Sequence, residues 1–552
     1  MITIRKRVLA LATATAVAAT TALATTPAQA ASPAQDTAAW LTGELVDGLM
    51  PSGYSPPFDK DLGLTLDTAF SLAAVGGHGA TVTQIRNAFE PRIGEYVEYV
   101  PNYMLPTPTE DDTHRGAGQL AKALAFVQLA GGNGTSYGGR NLLAELEGRT
   151  GADGRIEDKL AQGDTNPDSP GDQPDTDYAN SVGQAFAARA LTIAGSPEAA
   201  AARSFLLQQQ CPAGFFREQF AAKGAPQQAC NSNDAPATDV TALAVLQLVA
   251  IPSKDNATTA AITKATAWLR STQRADGSFG TGPVDSVSNT NSTGSAAWAL
   301  STQGGCADAG RAGAWVQKIQ VRNPASGSPL AGENGAVAFD VDTFNAAKTS
   351  GIDPAARYVW RRASTQAAPG LLAALTAADV TFAGPSAFQR AGTTASLSVG
   401  GVGEGERVCL TGPGIIGERS LTGTGLAAPL GTTVALPTKT AISTFTLTTA
   451  TGSKTVAVKT LAKTTLKAKV KKKTIRKGKK QVVKVSRLEA GEKVVVRVGG
   501  KRVAKGVADA KGVFKAKFKI KKKLAKPGKK KVKVFGQFKN LRRGSATFRV
   551  VR

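Results

Sequence analysis

Histidine is almost missing from this 552-residue chain, which has only His78 and His114. Cysteine is scarce too: there are four, and no C-x-x-C pair occurs. A structural zinc site draws on closely spaced Cys and His, so no metal and no cofactor is expected. Asp111 and Asp112 beside His114 read as the approach to a helix rather than a ligand set. After the first 30 residues no stretch reaches the ~20 apolar residues that cross a bilayer, so no transmembrane segment is expected. Acids are nearly absent from the end of the chain. Residues 461–552 hold 34 of the 67 Lys and Arg but only Glu489, Glu492 and Asp509. That window carries +31 and the rest of the chain −5, so the net +26 belongs to the tail.

At the start, Arg5, Lys6 and Arg7 precede an uncharged run from Val8 to Ala24, and Ala28-Gln29-Ala30 follows. This is the three-part pattern of a cleaved secretory signal. It predicts removal of residues 1–30 and a secreted, extracellular protein, which the cationic tail would associate with the cell envelope. In an oxidising compartment an even cysteine count points to disulfides. Cys211 and Cys230 bracket one loop and are the expected pair, contributing about 3 kcal/mol on the chain-entropy estimate. Cys306 and Cys409 fall in different predicted domains and are left open, as free thiols or an interdomain bridge. About 520 mature residues exceed one hydrophobic core, so two to four domains are expected.

Residues 31–373 repeat a grammar. Ala267-Trp268-Leu269-Arg270 leads through Gln273 to Asp276-Gly277-Ser278-Phe279-Gly280. After a loop come Asn291-Ser292-Thr293 and an apolar helix closing at Gly304-Gly305. Second helices are expected to start near 67, 114, 177, 239, 291 and 342, with Asp67, Asp239, Asn291 and Asp342 in the capping slot. Apolar second helices beside amphipathic first ones predict an inner ring wrapped by an outer one. The pattern resembles the prenyltransferase and squalene oxidase repeat of terpenoid cyclases, protein prenyltransferase β subunits, complement thioester domains and transcobalamins. That resemblance implies an α/α toroid of about six helical hairpins.

The residues do not support the resembling enzymes' chemistry. Asp340-Val341-Asp342-Thr343 is similar to the D-x-D-D acid cluster of class II cyclases, but Thr343 stands where an acid is required. Asp340 and Asp342 are thus the catalytic pair only if the chain is cyclase-like, and read first as helix caps. The zinc set of the prenyltransferases and the Cys-Gly-Glu-Gln thioester run are both missing. Trp268, Trp298, Trp315 and Phe279 are candidates for lining a ligand cavity, with hairpin packing as the competing role. The expectation is a non-catalytic binder of a small molecule or glycan, with a divergent terpenoid cyclase or transferase and a transcobalamin-like carrier as alternatives.

Beyond Pro369 short Thr/Val/Leu alternations appear. Residues 378–463 read as a β-sandwich-like module, and 464–552 as a lysine-rich one resembling bacterial immunoglobulin-like repeats, giving a multidomain α + β chain. Strict alternation sets Phe514, Ala516, Phe518 and Ile520 on one face and Lys515, Lys517 and Lys519 on the other. With Lys521, Lys522 and Lys523 these are expected to contact anionic envelope polymers or lipid head groups. Lysine outnumbers arginine 26 to 8 in the tail, which suits diffuse charge contact and argues against sequence-specific nucleic-acid binding.

Overall fold

The computed structural model describes residues 32–53, 59–99, 114–160, 177–282, 286–424 and 428–552. The predicted signal segment 1–30, Asp111 and Asp112 lie outside them. The first half is helical: α1 (Pro33–Gly43), α2 (Leu62–Val75), α3 (Gly79–Phe89), α4 (Ile93–Val97), α5 (Ala117–Leu129), α6 (Leu142–Glu147) and α7 (Ser181–Ala194). Then come α8 (Ala199–Gln208), α9 (Thr238–Ala250), α10 (Asn256–Thr272), α11 (Thr290–Thr302), α12 (Cys306–Lys318), α13 (Val341–Ser350) and α14 (Arg357–Leu371). Three two-residue strands, β1 (Glu98–Tyr99), β2 (His114–Arg115) and β3 (Lys159–Leu160), form a small sheet among them.

Six of these helices touch in cyclic order: α2 packs on α5, α5 on α7, α7 on α9, α9 on α11, α11 on α14, and α14 back on α2. Each has an outer partner, α3, α6, α8, α10 and α12 in turn, with α1 covering α14. The first helix thus closes the last unit. The Thr37 hydroxyl donates to Gly335 O (2.7 Å) and Trp40 Nε1 to Glu333 (2.8 Å).

Small residues let the inner helices approach closely. A Cβ added to Gly183 would sit 2.6 Å from Gly118 Cα, and one on Gly370 2.6 Å from Gly294 O. The Gly-turn of the repeat has a steric origin as well. Gly154, Gly214, Gly277 and Gly335 all have positive φ, and a Cβ on any of them would lie within 2.7 Å of a carbonyl oxygen of the next outer helix. A side chain there meets both backbone strain and a clash.

The turn is then bonded to its inner helix. Phe216 N donates to the Thr241 hydroxyl, Phe279 N to Thr293, Met50 N to Thr65 and Val337 N to Ser364, all at 2.9–3.0 Å. These bonds align the units and correct the expected register. True N-caps are Asp61, Asn180, Asn289 and Asp340. Asp67, Asp239 and Asn291 lie inside helices, because a Thr or Ser in the first turns is needed to hold the preceding Gly-turn. The sixth inner helix also differs from expectation. The segment after Asp342 becomes α13, which buries only Ala347, while α14 takes the inner place and buries Trp360, Ala363, Ser364, Ala367 and Ala368.

The rest is β. Strands β4 (Thr381–Ala383), β5 (Gln389–Arg390), β6 (Thr394–Gly400), β7 (Arg407–Thr411), β8 (Arg419–Thr422), β9 (Leu430–Ala435), β10 (Ala441–Thr449) and β11 (Gly452–Leu461) make two sheets, β5-β11-β10-β7-β8 and β4-β6-β9, around one apolar core. Then follow β12 (Thr464–Thr465), β13 (Lys467–Val470), β14 (Thr474–Arg476), β15 (Lys480–Ser486), β16 (Lys493–Val498), β17 (Lys501–Val507), β18 (Phe514–Lys519), β19 (Gly528–Phe535) and β20 (Arg542–Val551). They pair as β12-β20-β19-β16-β17, with β14 beside β20, and as β13-β15-β18, around a second core.

Candidate ligand lumen

Each inner helix is buried around most of its surface, yet partly exposed residues recur along it at intervals of three or four, or of two such steps. On α2 they fall at Gly63, Asp67 and Ala74, on α5 at Gly118 and Lys122, on α9 at Asp239, Leu243 and Val249, and on α11 at Asn291, Ser295 and Trp298. A stripe with helical spacing on a helix enclosed by its neighbours lies on the side turned toward the middle of the ring. Cross-ring contacts agree. Phe70 of α2 meets Phe186 of α7 (centroids 5.5 Å) and lies under the Arg189 guanidinium (5.4 Å), although α5 separates these helices in the ring.

Four polar side chains on these helices are incompletely satisfied. Arg189 donates to Gln247 Oε1 (3.0 Å), while its Nε is buried without a partner. Burial alone pushes its pKa down from the ordinary value, but a guanidinium stays charged in proteins. One hydrogen bond to a neutral amide and one aromatic face contribute a few kcal/mol together. A charge held partly out of water with no counter-ion costs a comparable amount. Near the N-terminal ends of the helices, Asp239 Oδ1, Asn291 Oδ1 and Ser292 Oγ are buried and unpartnered. Burial pushes the Asp239 carboxyl up from its usual range; the adjacent Ser292 hydroxyl opposes this and the Glu218 charge adds to it. By contrast Asp67 and Lys122 satisfy each other at 2.7 Å. Burial works against the Lys122 charge, and the Asp67 carboxylate outweighs it, so its pKa is raised.

Of the four aromatic candidates, only Trp298 lies on the lumen stripe. Trp268 is buried against Phe215 (5.5 Å), while Phe279 and Trp315 are buried in the cores between the helix layers. Asp340 caps α13, accepting from Thr343 N (2.8 Å), and Asp342 is exposed in that helix's first turn. His114 sits in β2, stacked on Tyr99 at 5.9 Å. The residues that sequence reasoning missed are Phe70, Phe186, Arg189 and Gln247. Their signal was a charged residue, Arg189, inside the otherwise apolar run of α7.

All four cysteines are paired: Cys211 with Cys230, as expected, and Cys306 with Cys409, which fixes the helical half to the first β module. At that junction lies a cavity of about 810 Å³, lined by Leu371, Leu372 and Leu375 and by the charged Lys318, Arg322, Glu404, Glu406 and Arg407. Lys515, Lys517, Lys519 and Lys521 are exposed, and Phe514, Ala516, Phe518 and Ile520 face inward. Lys522 and Lys523 open a 3-10 turn, and their side chains lie outside the described residues. No helix among the described residues is long and apolar enough to cross a membrane.

No family model matches the chain, and no curated protein matches it. Among solved structures it is similar to a protein from Actinoplanes, with 17% identity and TM-score 0.41 over 62% of this chain and 98% of that one. It is also similar to the ligand-free type II terpene cyclase MstE from Scytonema, with 15% identity and TM-score 0.41 over 62% of this chain and 97% of that one. The Yersinia pseudotuberculosis adhesin InvE is similar at 10% identity and TM-score 0.18, over 31% of this chain and 59% of its own. Likeness at these scores carries no function across; the helix contacts and the lumen side chains carry the functional reading.

Proposed function

We propose that this is an exported binding protein. Its helical half is an α/α toroid that holds a small, largely apolar molecule bearing an anionic group. Two immunoglobulin-like β modules follow, and the last contacts anionic polymers of the cell envelope. Arg189 carries this reading: a half-buried cation over an aromatic ring, with a buried unpartnered Nε and short of a counter-charge, is what an anionic head group would complete. The exported location rests on the signal pattern of residues 1–30, with which two disulfides are compatible. Native mass spectrometry of protein purified from culture is expected to show a co-purifying mass that Arg189→Met lacks. With a dansylated fatty acid as probe, R189M should bind at least tenfold more weakly, with unchanged helical circular dichroism. Equal affinity in the two proteins would remove Arg189 from the site, and no bound mass together with no probe binding would remove the lumen reading.

A second reading, acid catalysis in the same lumen, is favoured by one observation: Asp239 Oδ1 is buried without a partner, and that burial pushes the carboxyl's pKa up, the direction a proton donor requires. On the binding reading, a linear polyene such as squalene incubated with the protein should be recovered unchanged. Cyclised product from the native chain and none from Asp239→Asn would establish the enzyme instead.

A further inference from the structure

In the last module β15 is the central strand of a three-stranded sheet, and its register sets lysines side by side across all three strands. Lys469 of β13 stands opposite Lys484 of β15, which stands opposite Lys515 of β18. Lys480 likewise faces Lys519. Pleat alternation adds Lys467 and Lys517 to the same outward face, and all seven are exposed. The remaining positions of that face are Val482 and Ser486, so it carries no acid.

Like charges directly opposite one another on a sheet destabilise it, and nothing on this face offsets them. Protection of sheet edges against aggregation explains lysines on β13 and β18, which are edges. It does not explain Lys480 and Lys484, which stand on the central strand. A surface that weakens its own fold at three directly opposed pairs is better accounted for by a partner that supplies the missing charge.

We infer that this face binds a flexible phosphodiester glycopolymer with a short repeat, of the glycerol-phosphate type. Lysines at i and i+2 along β18 are spaced about 7 Å apart, and neighbouring strands about 4.8 Å. Six single bonds of ~1.5 Å between successive phosphates, in zigzag, span about the same 7 Å, so a chain laid along β18 meets one ammonium per phosphate. A polymer with one carboxylate per disaccharide places its charges too far apart to do so. A single-stranded nucleic acid shares the phosphate repeat, but binding without sequence preference relies on aromatic stacking platforms. The tail has neither Trp nor Tyr, and Phe514 and Phe518 are packed against the core. The inference rests on the envelope-contact reading above and specifies its face and ligand.

The test compares the full mature chain with K469Q/K484Q/K515Q, and with K529Q/K531Q/K533Q. The second triple removes the same charge from exposed positions on β19, in the other sheet. The probe is poly(glycerol phosphate) at 0.15 M salt. The row variant is expected to bind at least tenfold more weakly and to lower the slope of log K against log salt by about 2, which is three contacts at ~0.7 each for a single-stranded polyanion. The β19 variant should lose less than threefold. The row variant should also resist tryptic unfolding longer than the native chain. Equal losses in the two triples, or stronger binding of single-stranded DNA or hyaluronate than of poly(glycerol phosphate), would overturn the assignment of face or ligand. A native chain that binds no polyanion would instead overturn envelope contact itself.

Discussion

Replacing Glu492 with Gln is expected to destabilise the last module by about 3–5 kcal/mol, the usual result of removing one partner from a buried ion pair. Arg542 donates to both carboxylate oxygens, at 2.7 and 2.8 Å, and the two side chains are 1% and 0% exposed. The pair also gathers backbone from four places. Glu489 N and Gln537 N donate to the carboxylate, and the guanidinium donates to Ala462 O and Arg487 O. In E492Q the guanidinium keeps its charge in a site closed to water. The surrounding module has a large positive excess, so no other acid can move in. With no Trp or Tyr in the tail, pulse proteolysis with trypsin is the suitable readout, since lysines and arginines are dense there. The opening constant should rise by roughly two to four powers of ten. Adding Arg542→Met removes the stranded charge, while the amide introduced in place of the Glu492 carboxylate retains an acceptor for Gln537 N. E492Q/R542M should therefore recover more than half of the loss. An E492Q chain as resistant as the native one would mean that water enters the site and the pair is not closed.

Why the lysine alternation of β18 was legible in the sequence and Arg189 was not has one physical explanation. A strand with one face in a core and one in solvent shows both in its period-two pattern, so Phe514 to Ile520 declared their sides. An inner helix of a ring has no bulk-solvent face. Its polar stripe looks onto a lumen, and in sequence Asp239 and Asn291 then resemble residues at a helix start, where Asp and Asn are favoured. The glycine turns were readable because their cause is local and steric. The sixth unit was hidden for the opposite reason. Arg357 and Arg361 give α14 a surface-like composition, yet both are held by Glu44, and Arg357 also by Glu333, in the closure with α1. The Glu44 pairings join residues about 300 positions apart and have no sequence signal. The same is true of Cys306 and Cys409, 103 residues apart.

That bridge is where the second large effect is expected. The double variant C306S/C409S, which leaves no unpaired thiol, should lower stability by about 4.7 kcal/mol on the chain-entropy estimate for a loop of this size. It should also free the first β module from the helical half. What else joins them is modest. Glu418 of the β module accepts from Ala307 N at the start of α12 (2.7 Å), a favourable charge at a helix N-terminus. Leu375 lies over Gly310, where even a Cβ would come within 2.3 Å of its side chain. Thr376 N donates to Arg407 O (2.8 Å), and Ala450 N to Thr376 O (2.9 Å). The apolar cluster at this contact holds Ala307, Leu375 and Cys409, with Cys306 and Ala450 beside it. An interface this small resembles a transient one, for which relative motion is the default. Without the bridge, amide exchange at Leu375, Thr376 and Ala450 should accelerate at least 100-fold while the α11 amides keep their protection, and small-angle scattering should show a larger radius of gyration. The cavity lined by Leu371, Leu372 and Leu375 would open with that motion, because its two walls belong to the two halves. If exchange at those three amides is unchanged, the hydrogen bonds and the Leu375 contact hold the junction unaided, and the disulfide acts only on the unfolded chain.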